Sequence, residues 1–252
     1  MKTIAIIQAR MGSSRLPGKV MADIGGQPMI HRVVSRAQQA KRLDAVLVAT
    51  SDHPSDRGLA EYCRQLGIAC FQGSEHDVLD RYYQAALASE ADVIVRLTAD
   101  CPLLDPHVID QVVASFHEGG ADYVSNTLTC SYPDGLDTEV FHHDALAQAW
   151  KEATLTSERE HVTPFIHKQP QRFRLRNVAQ PVDWSALRWT VDEPQDLEFV
   201  RSVYACFEDD SFGMDDVLAV LRNQPDLGQI NAGFQRNEGY LKSLREDRGI
   251  EA

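Results

Sequence analysis

The chain has 252 residues, 43% of them hydrophobic, and a net charge of −12. That is room for one large α/β domain with a substantial core. The acidity argues against a general nucleic-acid binder, which needs a positive surface. No apolar run approaches the ~18 residues a membrane span requires, and Lys2 precedes too short an apolar run for a secretory leader.

Ile4 to Ile7 is a short apolar run of the kind a buried strand makes. It breaks into a loop carrying Gly12, Ser13, Ser14, Pro17 and Gly18 together with the cations Arg10, Arg15 and Lys19. Free N–H groups in a glycine-rich loop form a concavity for anions. Arginine adds bidentate phosphate contacts, and lysine a point charge. On residue types the stretch is a polyphosphate cradle or a basic surface loop. It matches neither the Walker pattern nor the dinucleotide fingerprint.

An amphipathic helix follows from Pro28 to about Lys41. Ala45–Ala49 is a second buried strand, and Ser55–Leu66 a helix closed by Gly67. Ile68–Phe71 is a short strand. Val78, Leu79, Tyr82, Tyr83, Ala86 and Leu87 line one face of the next helix. Asp92–Thr98 is a fourth strand that runs into Asp100. A helix opens at Asp105-Pro106, and Tyr123–Ser125 is a fifth strand. This alternation predicts a mostly parallel sheet with helices on both faces and ligands at the carboxyl ends of its strands. Beyond it, Thr138–Phe141, Arg172–Arg176 and Leu187–Val191 read as strands, and Asp144–Thr154 as a helix. Ser157–Glu160 has the pattern of a capping box.

The expected organisation is one domain over residues 1–225, its 127–180 portion serving substrate or dimer contacts, with a loosely held tail from 226 to 252. The five cysteines form no CxxC pair, which points away from zinc and from a disulfide framework. Asp100 and Asp192 each lie just past an expected strand. They read either as ligands of a divalent cation or as turn and helix caps. Asp134, Asp137, Glu139, Arg159 and His161 gather where the alternation ends. They read either as a sugar site, with Arg159 and His161 meeting a carboxylate and Asp137 and Glu139 accepting from hydroxyls, or as a capped helix start and surface polar groups.

Three blocks carry a resemblance. Ala-Arg-Met-Gly-Ser-Ser-Arg-Leu-Pro-Gly-Lys (residues 9–19), followed by Ile-Gly-Gly-Gln-Pro-Met-Ile (24–30), resembles the N-terminal signature of the sugar cytidylyltransferases, which make CMP-activated sugar acids such as CMP-Kdo and CMP-sialic acid. Leu97–Leu103 is similar to that family's Asp-x-Pro-Leu element, and Val191–Glu198 to its Asp-x-Pro-x-Asp-Leu-Glu element. The branch it most resembles is that of the spore-coat polysaccharide cytidylyltransferases. Two departures stand out. Gln8 replaces the proline of Kdo-type enzymes, and residues 72–81 lack their Ser-Gly-Thr-Glu-Arg run.

The resemblance implies a Rossmann-like, nucleotide-diphospho-sugar-transferase (GT-A-like) three-layer sandwich and a cytoplasmic homodimer. It implies a Mg²⁺-dependent transfer from CTP to a sugar acid, releasing pyrophosphate and feeding polysaccharide or glycan synthesis. Ala9, Arg10, Gly12, Ser13, Ser14, Arg15 and Lys19 would bind the nucleotide, Asp100 and Asp192 the metal, and Arg10, Lys19 and Asp100 would serve catalysis. Neither nucleic acid nor membrane enters as a partner. A glycosyltransferase using a finished nucleotide sugar is the enzymatic alternative, although the Asp-x-Asp motif of that class is missing. A non-catalytic nucleotide-binding protein on the same fold is the other.

Overall fold

The structure, a computed structural model, describes residues 1–234, 236 and 238–247. The chain begins with strand β1 (Thr3–Gln8), a small hairpin of β2 (Asp23–Ile24) and β3 (Gln27–Pro28), and helix α1 (Met29–Gln38). It continues through β4 (Ala45–Ser51), α2 (Arg57–Gln65), β5 (Ala69–Gly73), α3 (Val78–Ala88), β6 (Val93–Thr98), α4 (Pro106–His117) and β7 (Tyr123–Ser125). The second half holds β8 (Glu139–His142), α5 (His143–Glu152), α6 (Thr156–His161), α7 (Pro164–His167) and β9 (Leu175–Asn177). Helices α8 (Pro194–Tyr204), α9 (Met214–Asn223) and α10 (Glu238–Asp247) close the described chain.

Seven strands make one sheet in the order β5-β4-β1-β6-β8-β7-β9. The β1–β4, β1–β6, β4–β5 and β7–β9 pairs are parallel, while β8 runs antiparallel to both its neighbours. The sheet is therefore mostly parallel, as the alternation of elements predicts. The strand period of two divides β1 cleanly. Ala5 and Ile7 join a core packed with α1, α4, α8 and α9, whereas Ile4 and Ile6 join a second core with α3, α5 and α7. Burial on both faces is what an apolar parallel strand requires.

Four readings of the second half change. Leu187–Val191 is extended and puts Trp189 and Val191 in the core, but it is not a sheet strand. Its backbone bonds to loops instead: Trp189 N–H donates to Asp134 O at 2.6 Å and Val191 N–H to Asp100 O at 2.7 Å. Of Arg172–Arg176 only the end joins the sheet, as β9 on β7. Ser157 does not cap α6. The cap is Leu155, with the Glu158 carboxylate accepting from the N–H groups of Thr154 and Leu155 at 3.2 Å each. The expected loose tail folds back as far as it is described. Asn231 and Ser243 are buried, the latter against Glu160 and His161 of α6. Residues 248–252 lie outside the described chain.

Gly135 sits at φ +117°, and a Cβ there would lie 2.7 Å from the Trp189 carbonyl carbon and 2.8 Å from the Thr190 nitrogen. Both obstacles are backbone, so neither can rotate away. Gly135→Ala is expected to cost about 2–3 kcal/mol in urea unfolding, by prying residues 134–136 off the 187–191 segment.

Candidate functional site

The loop after β1 is shaped by its own backbone. The N–H groups of Ser13 and Gly18 both donate to the Met11 carbonyl at 3.0 Å, and the Met11 N–H donates to Asp56 at 2.7 Å. Gly18, at φ +73°, reverses the chain and starts a single 3₁₀ turn at Lys19. Gln8 and Thr98 are register partners at the ends of β1 and β6. The loop and Asp100 therefore leave adjacent strands side by side. The Val191–Asp100 backbone bond brings Asp192 to the same place.

The Lys19 ammonium is the meeting point. It lies 3.1 Å from Asp100 Oδ2, 2.8 Å from Asp192 Oδ1 and 2.7 Å from the Val191 carbonyl oxygen. Burial lowers the pKa of this amine, but the two carboxylates outweigh burial and leave it raised. For Asp100 burial pushes the carboxyl up, while Lys19 and the Thr98 hydroxyl, donating at 2.6 Å, hold it at about 2. Arg15 reaches the same acids from the outside, 2.9 Å from Asp192, and is itself met by Glu193 at 3.4 Å and by Glu238 of α10 at 2.8 Å.

Two cavities share this centre. One, of about 640 Å³, is lined by Ala9, Arg10, Gly12, Ser13, Ser14, Arg15 and Lys19 together with Arg81 and Lys242. The other, of about 500 Å³, runs towards Asp134, Asp137, Glu139, His161, Arg96, Arg188 and Arg236. Gln8, Arg15, Thr98, Asp100 and Asp192 border both. The loop cavity sets Arg10, Arg15, Lys19, Arg81 and Lys242 beside Asp100, Asp192, Glu160, Glu238 and Glu246, and it meets the acid-rich cavity at Asp100 and Asp192.

A model of the cytidylyltransferases matches residues 4–213. The chain belongs to the cytidylyltransferase family. A spore coat polysaccharide biosynthesis protein of Bacillus subtilis, SpsF, is 34% identical over 229 residues, covering 88% of this chain and 94% of that one. An uncharacterised protein of Methanocaldococcus jannaschii is 36% identical over 248 residues, 98% of this chain and 99% of its own. Among solved structures, a cytidylyltransferase from Leptospira borgpetersenii superposes with a TM-score of 0.88 at 30% identity, covering 93% of this chain and all of that one. A CMP:2-keto-3-deoxy-manno-octonic acid synthetase in complex with CTP shares the fold, with a TM-score of 0.65 at 21% identity.

In this cytidylyltransferase the expected nucleotide residues fall together around one cavity, and Asp100 and Asp192 converge. The sugar-side expectations divide. Arg159 lines neither cavity, because its guanidinium pairs with Asp77 at the start of α3 and donates to the Trp150 carbonyl at 2.7 Å. His161 borders the acid-rich cavity, yet burial lowers its imidazole to about 4, so it is neutral at pH 7 and carries no charge for a carboxylate. Glu139 is already engaged, accepting from Arg96, from the Tyr123 hydroxyl at 2.5 Å and from the Thr163 hydroxyl at 2.6 Å. Asp137 does face the cavity, paired with Arg236. Burial raises the carboxyls of both Asp137 and Asp134, the latter to about 7 with Asp137 beside it.

The sequence reading missed the groups that hold the site. Arg188 makes 2.9 Å contacts to both oxygens of Asp196 and reaches Asp192 at 3.2 Å. Asp196 in turn accepts from the N–H groups of Asp192 and Glu193 at 2.9 Å, fixing the turn that presents Asp192. The Asp-x-Pro-x-Asp spacing was the available signal for Asp196. Arg81 went unassigned too. It is buried on the loop cavity, with NH1 donating to Ser74 O at 2.7 Å and Nε without a partner among the described residues.

The donor set fits a hard divalent cation. Two carboxylates already share one cation here, and Mg²⁺ is usually held by one or two carboxylates plus phosphate oxygens. Among the described residues no third His, Cys, Asp or Glu side chain joins them to complete an all-protein cage.

The depressed Asp100 carboxyl has a sign. Its folded-state value of about 2 lies below the unfolded value near 4. Its contribution to stability is therefore full above pH ~4 and is lost as pH falls from there through 2. Lys19→Met is expected to move the Asp100 titration, read by carboxyl NMR, well above its wild-type midpoint, and to flatten that part of the acid-unfolding curve.

Proposed function

We propose that this protein couples CTP to a sugar acid, giving a CMP-sugar and pyrophosphate for surface polysaccharide or glycan synthesis. The observation that carries the reading is the convergence of Lys19, Asp100 and Asp192 where the loop cavity and the acid-rich cavity meet. The triphosphate lies in the loop cavity, where Arg10, Arg15 and Lys19 supply charge and the Gly12–Ser14 segment supplies backbone and hydroxyl donors. The acceptor sugar lies in the other cavity. Its hydroxyl oxygen attacks the α-phosphorus in line, and the bond from that phosphorus to the bridging oxygen of the β-phosphate breaks. Pyrophosphate leaves with the electron pair, and the hydroxyl proton passes to water.

Asp100 and Asp192 would hold Mg²⁺, which when bound polarises the phosphoryl group and neutralises its developing charge. The protein's share is positioning and charge compensation, which phosphoryl-type transfers chiefly need. The relationship to SpsF supports the polysaccharide setting.

The test is pyrophosphate release with CTP, Mg²⁺ and a panel of 3-deoxy sugar acids, with the other nucleoside triphosphates as controls. Asp100→Ala is expected to lower kcat by at least ~100-fold while the circular-dichroism spectrum stays that of the wild type. Release of a nucleoside diphosphate from a nucleotide sugar in place of pyrophosphate from CTP would point to a glycosyltransferase instead.

A further inference from the structure

We infer that Arg96 is the residue that reads the acceptor's carboxylate, an inference that rests on the CTP-to-sugar-acid reading above. A sugar acid entering the second cavity brings a negative charge into a space already crowded with acids, so it needs a cation with donors to spare. Among the described residues four arginines border that cavity: Arg15, Arg96, Arg188 and Arg236. Arg15 is shared among Asp192, Glu193 and Glu238, Arg188 among Asp134, Asp192 and Asp196, and Arg236 between Asp134 and Asp137. Among the described residues Arg96 makes its ion pair with Glu139, and Asp137 feels the same charge from farther off. The charge of the Glu139 carboxylate is also drawn upon by the hydroxyls of Tyr123 and Thr163.

The other direct contacts of Arg96 among the described residues are neutral. NH2 donates to Gln8 Oε1 at 3.2 Å, the guanidinium stands 6.0 Å from the centre of the Tyr82 ring, and the buried Nε has no partner among the described residues. A guanidinium has five N–H donors in a fixed fork, so Arg96 keeps donors for a ligand after meeting Glu139 and Gln8.

Its placement is rigid. Arg96 and Glu139 are register partners across the antiparallel β6–β8 pair, so the fork is held from the middle of the sheet. Gln8 sits at the end of β1, next to Arg96 in space, and borders both cavities. Gln8 and Glu139 are positioning residues, and Arg96 is the contact.

The experiment compares each acceptor acid with its neutral carboxamide in the pyrophosphate assay, for the wild type, Arg96→Lys and Gln8→Leu. Arg96→Lys keeps the charge opposite Glu139 but removes the fork. Gln8→Leu leaves the ion pair whole, which guards against a folding defect. The expected result is a roughly 10- to 100-fold rise in KM for the acid in Arg96→Lys, a smaller rise in Gln8→Leu, little change for the carboxamide and a KM for CTP within about twofold of wild type. Equal rises for acid and carboxamide, an unchanged acid KM, or a parallel rise in the CTP KM would overturn the assignment while leaving the CTP reaction standing. A wild type that releases no pyrophosphate with any acid would sink the proposed function and take this inference with it.

Discussion

One ammonium group sets the geometry of this protein's crevice. Two carboxylates, 92 positions apart in sequence, belong to segments that leave the sheet separately, and without a shared cation they would repel. Lys19 supplies that cation from inside a glycine-containing turn. The arrangement is stable because burial makes each member costly alone and useful together. The remaining architecture delivers those three side chains. The parallel β1–β6 pair aligns the loop with Asp100, and the extended 187–191 segment carries Asp192 to the same edge.

A second tier of charge surrounds the first. Asp196 ties down the turn bearing Asp192, and Arg188 ties down Asp196. On the acceptor side Arg236, Asp134 and Asp137 share charge in one cluster, and Arg96 with Glu139 forms another. These networks leave little of the pocket's polarity unpaired among the described residues, so a partner enters by adding donors and acceptors to an already ordered lattice. Order of that kind favours selectivity, because a mismatched group leaves a buried charge uncompensated.

Most of the first half of the fold was legible because its longer elements announce themselves twice, by hydrophobic period and by a boundary residue, whereas the two-residue strands β2 and β3 are too short to carry a period. Asp105-Pro106 at α4 and Gly67 after α2 are examples of such boundary residues. The loop and the two strand-end acids were legible because their order is distinctive. The second half hid more. Leu187–Val191 has a strand's composition, but hydrogen-bond partners decide what a strand is, and its partners are loops. Arg159 and His161 sit close in sequence to the acceptor cavity, but a pairing with Asp77 and the burial of an imidazole are tertiary facts no local pattern encodes. Helix α10 read as a polar tail because scattered side chains dock it: Ser243 to Glu160 and His161, Tyr240 to His161 and Lys168, Asp247 to the Ser157 N–H, and Glu238 to Arg15.

The backbone bond from the Val191 N–H to the Asp100 carbonyl couples more than two loops. It lies directly beside both acids, so the turn after β6 and the turn before α8 are tied backbone to backbone at the point where they present Asp100 and Asp192. The 9–18 loop meets that joint through the side chain of Arg15, on Asp192 and Glu193, and the last helix meets the loop in turn through Glu238 on Arg15. A clasp of side chains thus lies across a joint made of backbone.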